Sequence, residues 1–212
     1  MDDALQHRRL IGDISILLTD FANPWWTDSF LPAGRLRDGR SQYKRAQIII
    51  VTKCPDKLTD NDVISTIEGI QPSPNQNVFF TRVVYGQPIH FHGPDISVNR
   101  IKSWIGIAGI AKPLPFFQFI EKQYPIKSTS AFPDHHIFSQ LEVENLASEC
   151  GTFGQRSTGW ITTEKDAMRL KEMKLPEDIP MYFIPISIAF VQNENDFNNC
   201  VDKLLSEKNN KA

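Results

Sequence analysis

Short apolar segments alternate with amphipathic ones along this chain, and this alternation limits the folds into which it can pack. Ile48–Thr52 is a run of β-branched residues, as expected for a strand that is buried on both faces of a sheet. Further on, Ser139–Glu142 forms a capping box at the start of an amphipathic helix, and Gly151 supplies its C-terminal stop. Strands that alternate with helices are typical of α/β proteins. We therefore predict an α/β fold class with a mainly parallel sheet.

The same patterns predict the bounds of the other elements. Predicted strands are Ile14–Thr19, Ile48–Thr52, Val78–Tyr85, Gln87–Phe91, Trp104–Ala108, Trp160–Thr162 and Met181–Ile184. Val78–Tyr85 and Gln87–Phe91 flank Gly86, so we interpret them as a hairpin or two-stranded ribbon. Predicted helices are Asn61–Ile70, Leu114–Tyr124, Gln140–Cys150, Glu164–Met173 and Asp196–Glu207. The linker-like stretch Gln71–Asn77 predicts a boundary between residues 1–76 and 77–212, with the last helix packing back on the first part.

Charge, cysteine content and hydropathy exclude several classes of protein. The formal net charge is −2, which does not indicate bulk attraction to nucleic acid. Cys54, Cys150 and Cys200 fit neither a disulfide framework nor a CxxC zinc site, so a cytoplasmic location is expected. The longest apolar stretch, Phe183–Val191, is shorter than the ~20 residues that span a bilayer. Nor does the acidic start of the chain resemble a signal peptide.

The segment Asp2–Arg8 (DDALQHR) begins with two adjacent carboxylates and continues to His7. Mg²⁺ prefers oxygen ligands and typically takes one or two carboxylates together with waters and substrate phosphate oxygens. Asp2 and Asp3 are therefore candidate magnesium ligands. The alternative is a solvated acidic terminus, since short motifs match by chance.

The segment Leu31–Asp38 (LPAGRLRD) places Arg35 and Arg37 two residues apart, so both side chains can point the same way from an extended chain. Two such guanidinium groups suit bidentate recognition of phosphate. The alternative is a solvated loop in which the charges of Arg37 and Asp38 contribute little.

The segment Phe132–His136 (FPDHH) lies just before the helix that is capped at Ser139. The partial positive charge of a helix N-terminus disfavours an imidazolium, so His135 can stay neutral and act as a base or orient one. The alternative is that one imidazole of the pair packs against the protein and the other is exposed.

Other motifs favour structural roles. Thr163 and Asp166 have the spacing of a helix cap, and the glycines of Trp104–Pro113 lack GxGxxG spacing and suit close packing of strand and helix. His90 and His92 share a strand face but have no evident third metal ligand. Nor does the chain contain GxxxxGK[ST], the loop that cradles nucleotide phosphates, which argues against a self-contained ATPase.

Taken in order, the motifs resemble those of the tetraacyldisaccharide 4'-kinases, the lipid A 4'-kinases of Gram-negative bacteria. The matching segments are Asp2–Arg8, Leu31–Arg37, Val51–Lys53, Gly109–Pro113 with Phe116-Phe117, Phe132–His136 and Thr163–Ala167. The resemblance implies ATP-dependent phosphorylation of the 4'-hydroxyl of a tetraacyldisaccharide 1-phosphate, at the cytoplasmic face of the inner membrane. It implies no nucleic-acid partner.

The resemblance also implies an architecture and residue roles. Residues 1–76 would be the C-terminal remnant of a P-loop-type nucleotide domain, and residues 77–212 a second α/β lobe. Asp2 and Asp3 would match the acidic pair that holds Mg²⁺, with Asp3 also catalytic, and His135 would match the histidine that works with a catalytic aspartate. The residues implied for substrate or phosphate binding are His7, Arg35, Arg37 and Asp38.

The sequence departs from the family at Asp38 and before Asp2, where Met1 stands in place of the hydrophobic strand that leads into the acidic pair. The family's N-terminal portion, with a membrane-associating helix, the phosphate loop and the catalytic aspartate, has no counterpart here, so the resemblance implies that this chain is inactive by itself. Asp38 is shorter than the family's usual Glu. Two other functions stay open: a metal-dependent phosphoesterase that uses Asp134–His136, and a non-catalytic lobe that binds a glycolipid or partner through Trp25–Arg37.

Overall fold

The structure, a computed structural model, describes residues 12–37, 39–151, 157–192 and 194–209. Spatial proximity divides these residues into two units. The first unit comprises the described residues up to Val84 and those from Ile188 onward, and the second unit is Tyr85–Ser187. The division falls later than the predicted boundary at 76/77 because the strand that begins at Asn77 pairs in the sheet of the first unit.

The described part of the chain contains nine strands and five α-helices. The strands are β1 Ile16–Asp20, β2 Ile48–Thr52, β3 Asn77–Tyr85, β4 Ile89–His92, β5 Ser103–Ala108, β6 Ile126–Ala131, β7 Thr158–Thr163, β8 Met181–Ile184 and β9 Ile186–Phe190. The helices are α1 Asp60–Ile70, α2 Leu114–Gln123, α3 Gln140–Glu149, α4 Glu164–Leu170 and α5 Glu194–Asn209. The predicted α/β class with mainly parallel sheets is confirmed.

The first unit contains a four-stranded sheet in the order β1-β2-β3-β9. β1, β2 and β3 are parallel, and the central β2 buries Ile48, Ile49 and Val51 completely, as its β-branched sequence predicts. On one side, Trp25 and Trp26 meet edge to face at 5.0 Å between ring centroids and pack with the apolar core. Phe79 on β3 packs against Phe197 on α5.

The second unit contains a five-stranded sheet in the order β4-β8-β7-β5-β6. The four strands from β8 to β6 are parallel, and β4 is an antiparallel edge. Alternate residues of β5 point to opposite faces, so Ile105 and Ile107 pack with α3 and α4 while Trp104 packs with α2. Helices therefore cover both faces, which is the doubly wound arrangement.

The predicted hairpin around Gly86 is wrong. β3 lies between β2 and β9 in the first sheet, whereas β4 pairs with β8 in the second. The amide of Gly86 donates to the carbonyl of Pro185 at 2.8 Å, so the chain at this point pairs with a distant segment. A single glycine also lacks the two residues at positive φ that a tight hairpin turn requires.

Candidate functional site

The candidate site lies where the connections of the second sheet change direction. The chain passes from β5 to β6 on one side and then returns across β5 to β7 on the other. In doubly wound sheets, ligands bind outside the carboxyl ends of the strands at such a switch point. Here the carboxyl ends of β5 and β7 are Ala108 and Thr163, and the next residue after β5 is Gly109.

A buried carboxylate joins the two loops at this switch point. Asp166 has no exposed surface, and its Oδ2 accepts a hydrogen bond from the amide of Gly109 at 2.8 Å. The same oxygen accepts one from the hydroxyl of Thr163 at 2.7 Å. Thr163 in turn caps α4, as its spacing to Asp166 predicts. A side chain at Gly109 would contact Asp166, so the absence of one allows this close approach.

Arg169 extends the same network towards the loop that follows β6. Its Nη1 donates to Oδ1 of Asp166 and to the carbonyl of Gly109, both at 3.1 Å. Its Nη2 lies 3.4 Å from Nδ1 of His135. His135 adopts a left-handed backbone conformation with φ +59°, and its side chain is 76% exposed. The network therefore connects a fully buried carboxylate to an imidazole at the surface.

Asp134 lies on the other side of the imidazole. Its Oδ2 is 3.7 Å from Nε2 of His135, and its Oδ1 is 3.3 Å from Nζ of Lys165. Desolvation by itself raises the pKa of the Asp134 carboxyl, but the hydrogen bond from Lys165 and the charges of His135 and Lys165 outweigh it. The net effect is a pKa below the ordinary value, so Asp134 is ionised at neutral pH.

His136 has a structural role. Its ring stacks on Phe132 at 4.8 Å between centroids, and its Nε2 lies 3.1 Å from both carboxylate oxygens of Glu142. Glu142 also completes the capping box with Ser139, which confirms the cap predicted there. Hydrogen bonds from Ser139, followed by those from His136, lower the pKa of Glu142. Of the histidine pair, one imidazole thus packs and the other is exposed, beside the buried network.

The predicted arginine loop lies in the first unit. Nε of Arg35 pairs with Oδ2 of Asp28 at 2.9 Å, and both residues line a shallow cavity of about 230 Å³ beside Asp20, at the carboxyl end of β1. Lys53 pairs with Asp20 at 3.1 Å. Arg37 is exposed. The phosphate-binding roles of Arg35 and Arg37 stay predictions.

Four predicted site residues lie outside the described residues: Asp2, Asp3, His7 and Asp38. Within the described ranges there is no cluster of three or more His, Cys, Asp or Glu side chains that could hold a metal ion. None of the helices in those ranges is both long and apolar enough to cross a bilayer.

Sequence reasoning missed Arg169, and it treated Asp166 only as a cap. A signal was present, since Asp166 and Arg169 have the i,i+3 spacing that places them together on a helix. What the sequence alone does not give is the position of Gly109 and His135 beside them, which depends on the strand order β6-β5-β7.

The described residues thus define a doubly wound α/β protein with a polar network at the switch point of its second sheet. A model of the tetraacyldisaccharide-1-P 4'-kinase family matches residues 1–206. The chain therefore belongs to the tetraacyldisaccharide 4'-kinase family.

Individual relatives agree with this assignment. The tetraacyldisaccharide 4'-kinase of Flavobacterium johnsoniae is 36% identical over 209 residues, covering 98% of this chain and 59% of the relative. That of Porphyromonas gingivalis is 34% identical over 212 residues, covering 97% and 59%. The chain thus spans less than two thirds of the length of these relatives.

A solved structure shares the fold. It is the crystal structure of LpxK from Aquifex aeolicus, described as a complex with ATP. The likeness has a TM-score of 0.63 at 19% identity and covers 96% of this chain and 56% of that one.

Proposed function

We propose that this chain takes part in the ATP-dependent phosphorylation of the 4'-hydroxyl of a tetraacyldisaccharide 1-phosphate. The observation that carries the proposal is the polar network that ends on His135 at the switch point of the second sheet, in a chain that belongs to this kinase family. Phosphoryl transfer depends mainly on positioning and on stabilising charge, so fixed polar groups at such an edge suit it.

Each residue singled out in the sequence has a proposed role. We propose that His135 works with a catalytic aspartate. The residues proposed to bind the substrate or its phosphate are His7, Arg35, Arg37 and Asp38.

Mg²⁺ is the proposed metal ion. The proposed ligands are the carboxylates of Asp2 and Asp3, whose oxygens are of the type that Mg²⁺ prefers. Bound there, Mg²⁺ would neutralise charge on the phosphates of ATP. We propose that the protein acts at the cytoplasmic face of the inner membrane, where an acylated substrate would be accessible.

A chimera tests the function. The part of the Flavobacterium johnsoniae relative that has no match in this chain is fused to this chain. Transfer of labelled phosphate from ATP to the tetraacyldisaccharide 1-phosphate is then measured. We expect His135→Gln to lower kcat by about 100- to 10 000-fold, the range of proton-transfer catalysis. His92→Gln, on the antiparallel edge strand β4, is the matched control and should keep full activity. An inactive chimera, or full activity of His135→Gln, would contradict the proposal.

One observation favours the alternative of a lipid-binding lobe. Phe30 and Leu31 are 52% and 60% exposed in the segment Trp25–Arg37, so apolar side chains are available there. Binding of the glycolipid that persists without ATP, in a chimera that transfers no phosphate, would favour this function over the kinase.

A further inference from the structure

We propose that Arg169 is a positioning residue that holds the imidazole of His135 with its proton on Nε2, and that the buried Asp166 fixes Arg169 in place. For its functional meaning this inference rests on the proposed kinase function of His135. The tautomer itself can be measured without any activity.

The position of the proton follows from the chemistry of the two side chains. A guanidinium group has only N–H donors and stays charged throughout the accessible pH range. Nη2 of Arg169 lies 3.4 Å from Nδ1 of His135, so Nδ1 must accept the hydrogen bond with its lone pair. A neutral imidazole that accepts at Nδ1 carries its proton on Nε2.

Arg169 is held in a single orientation. Its Nη1 donates both to Oδ1 of Asp166 and to the carbonyl of Gly109. Asp166 cannot move easily, because it has no exposed surface and its Oδ2 is bound by the amide of Gly109 and the hydroxyl of Thr163. With Nη1 engaged in this way, Nη2 is directed at His135. The guanidinium side chain is only 22% exposed, which further limits its freedom.

The consequence concerns what His135 can do. With its proton on Nε2, the imidazole donates a hydrogen bond from that atom and cannot accept a proton there. The described charged groups around the ring are Arg169 at Nδ1, Asp134 with Oδ2 3.7 Å from Nε2, and Lys165, which pairs with Asp134. Arg169 would therefore fix His135 as a hydrogen-bond donor towards the group that faces Nε2.

The first test is a measurement of the tautomer. The complete 212-residue chain is labelled with ¹⁵N-histidine, and long-range ¹H–¹⁵N NMR spectra distinguish protonated from unprotonated ring nitrogens. His135→Gln identifies the signal by its loss. In the unaltered chain, at a pH where its ring signals no longer change with pH, we expect Nδ1 of His135 to be unprotonated and Nε2 to carry the proton.

Variants at Arg169 then test whether this side chain determines the tautomer of His135. Arg169→Gln should shift His135 towards a mixture of tautomers, and Arg169→Lys, which keeps a charged donor, should shift it less. Arg100→Gln makes the same change at an exposed arginine of the second unit and should leave the signal unchanged. His136 is an internal control for folding, since its Nε2 is held by Glu142. A proton on Nδ1 in the unaltered chain, or an unchanged His135 signal in a folded Arg169→Gln chain, would overturn the proposal.

Activity of the chimera separates this inference from the proposed function. Arg169→Gln should lower kcat by about 10- to 100-fold with the KM for ATP unchanged, less than the complete loss of proton-transfer catalysis. Combined with His135→Gln it should cause no further loss, because both changes remove the same contribution. If the unaltered chimera is inactive, the kinase proposal fails while the NMR result still decides the positioning role. An active chimera that Arg169→Gln leaves unaffected would overturn the role in catalysis.

Discussion

Replacing Asp166 with alanine should destabilise the second unit strongly, because this carboxylate is bonded on several sides and has no exposed surface. The change leaves the buried amide of Gly109 without its acceptor at 2.8 Å. It also removes the carboxylate partner of Arg169 at 3.1 Å and a negative charge from the first turn of α4. Thr163 can still cap the helix, since its hydroxyl accepts from the backbone amide of residue 166.

The loss in the free energy of opening can be estimated from these contacts. An unpaired buried donor costs about 1–3 kcal/mol. The ion pair with Arg169 adds about 1 kcal/mol, since the guanidinium is partly exposed and keeps the carbonyl of Gly109 as a partner. The charge at the helix N-terminus adds about 0.3–1 kcal/mol. Together we expect a loss of about 2–5 kcal/mol in the free energy of opening of the second unit.

Hydrogen exchange measures this loss locally, which matters because a chain with two units does not have to unfold in one step. Amides of β5 and β7 should exchange about 40- to 4000-fold faster in Asp166→Ala, since every 1.4 kcal/mol is tenfold. Asp62→Ala is the matched control, because Asp62 occupies the same place relative to Thr59 in α1 but is only partly buried. Equal exchange of β5 and β7 in the two variants would refute the reasoning.

Three further predictions concern other residues. Gly93→Ala should destabilise the chain more than Gly151→Ala in urea unfolding, because both have positive φ but only a Cβ at Gly93 would collide with a facing backbone carbonyl. Burial raises the pKa of the Cys54 thiol to about 11, so iodoacetamide at pH 8 should alkylate the less buried Cys200 first, and both equally in urea. Glu142→Gln should be less stable than the unaltered chain at pH 7; because folding lowers the pKa of Glu142, that difference should shrink as the pH falls and vanish once the pH lies below the lowered pKa of the folded state.

Elements with strong local patterns could be predicted from the sequence. Ile48–Thr52 and Met181–Ile184 match their strands residue for residue, since continuous apolar runs mark strands buried on both faces. β6 was missed because Lys127, Ser128 and their neighbours alternate polar side chains at the edge of the sheet. β9 was missed because its residues are mostly exposed and follow β8 after a single proline.

The candidate site could be predicted only in part. The loop with His135 and the cap at Thr163 were each visible as local motifs. The proximity of these two motifs could not be predicted, because it depends on β5 lying between β6 and β7. No short segment of sequence specifies that strand order. Arg169 looks like an ordinary charge on a helix face until Gly109 and His135 are placed beside it.

The interleaving of the two units sets an order of events during synthesis on the ribosome. Tyr85–Ser187 emerges in full before the remainder of β9 and α5, so the second unit can complete its own core first. The first unit cannot complete its sheet and core until residues up to Phe197 have been made. Until then the edge of β3 and the ring of Phe79 are uncovered. An open strand edge is a template for pairing with other chains. The nascent protein is thus most exposed to chaperones and to misassembly in that interval, and slower translation of Tyr85–Ser187 would prolong it.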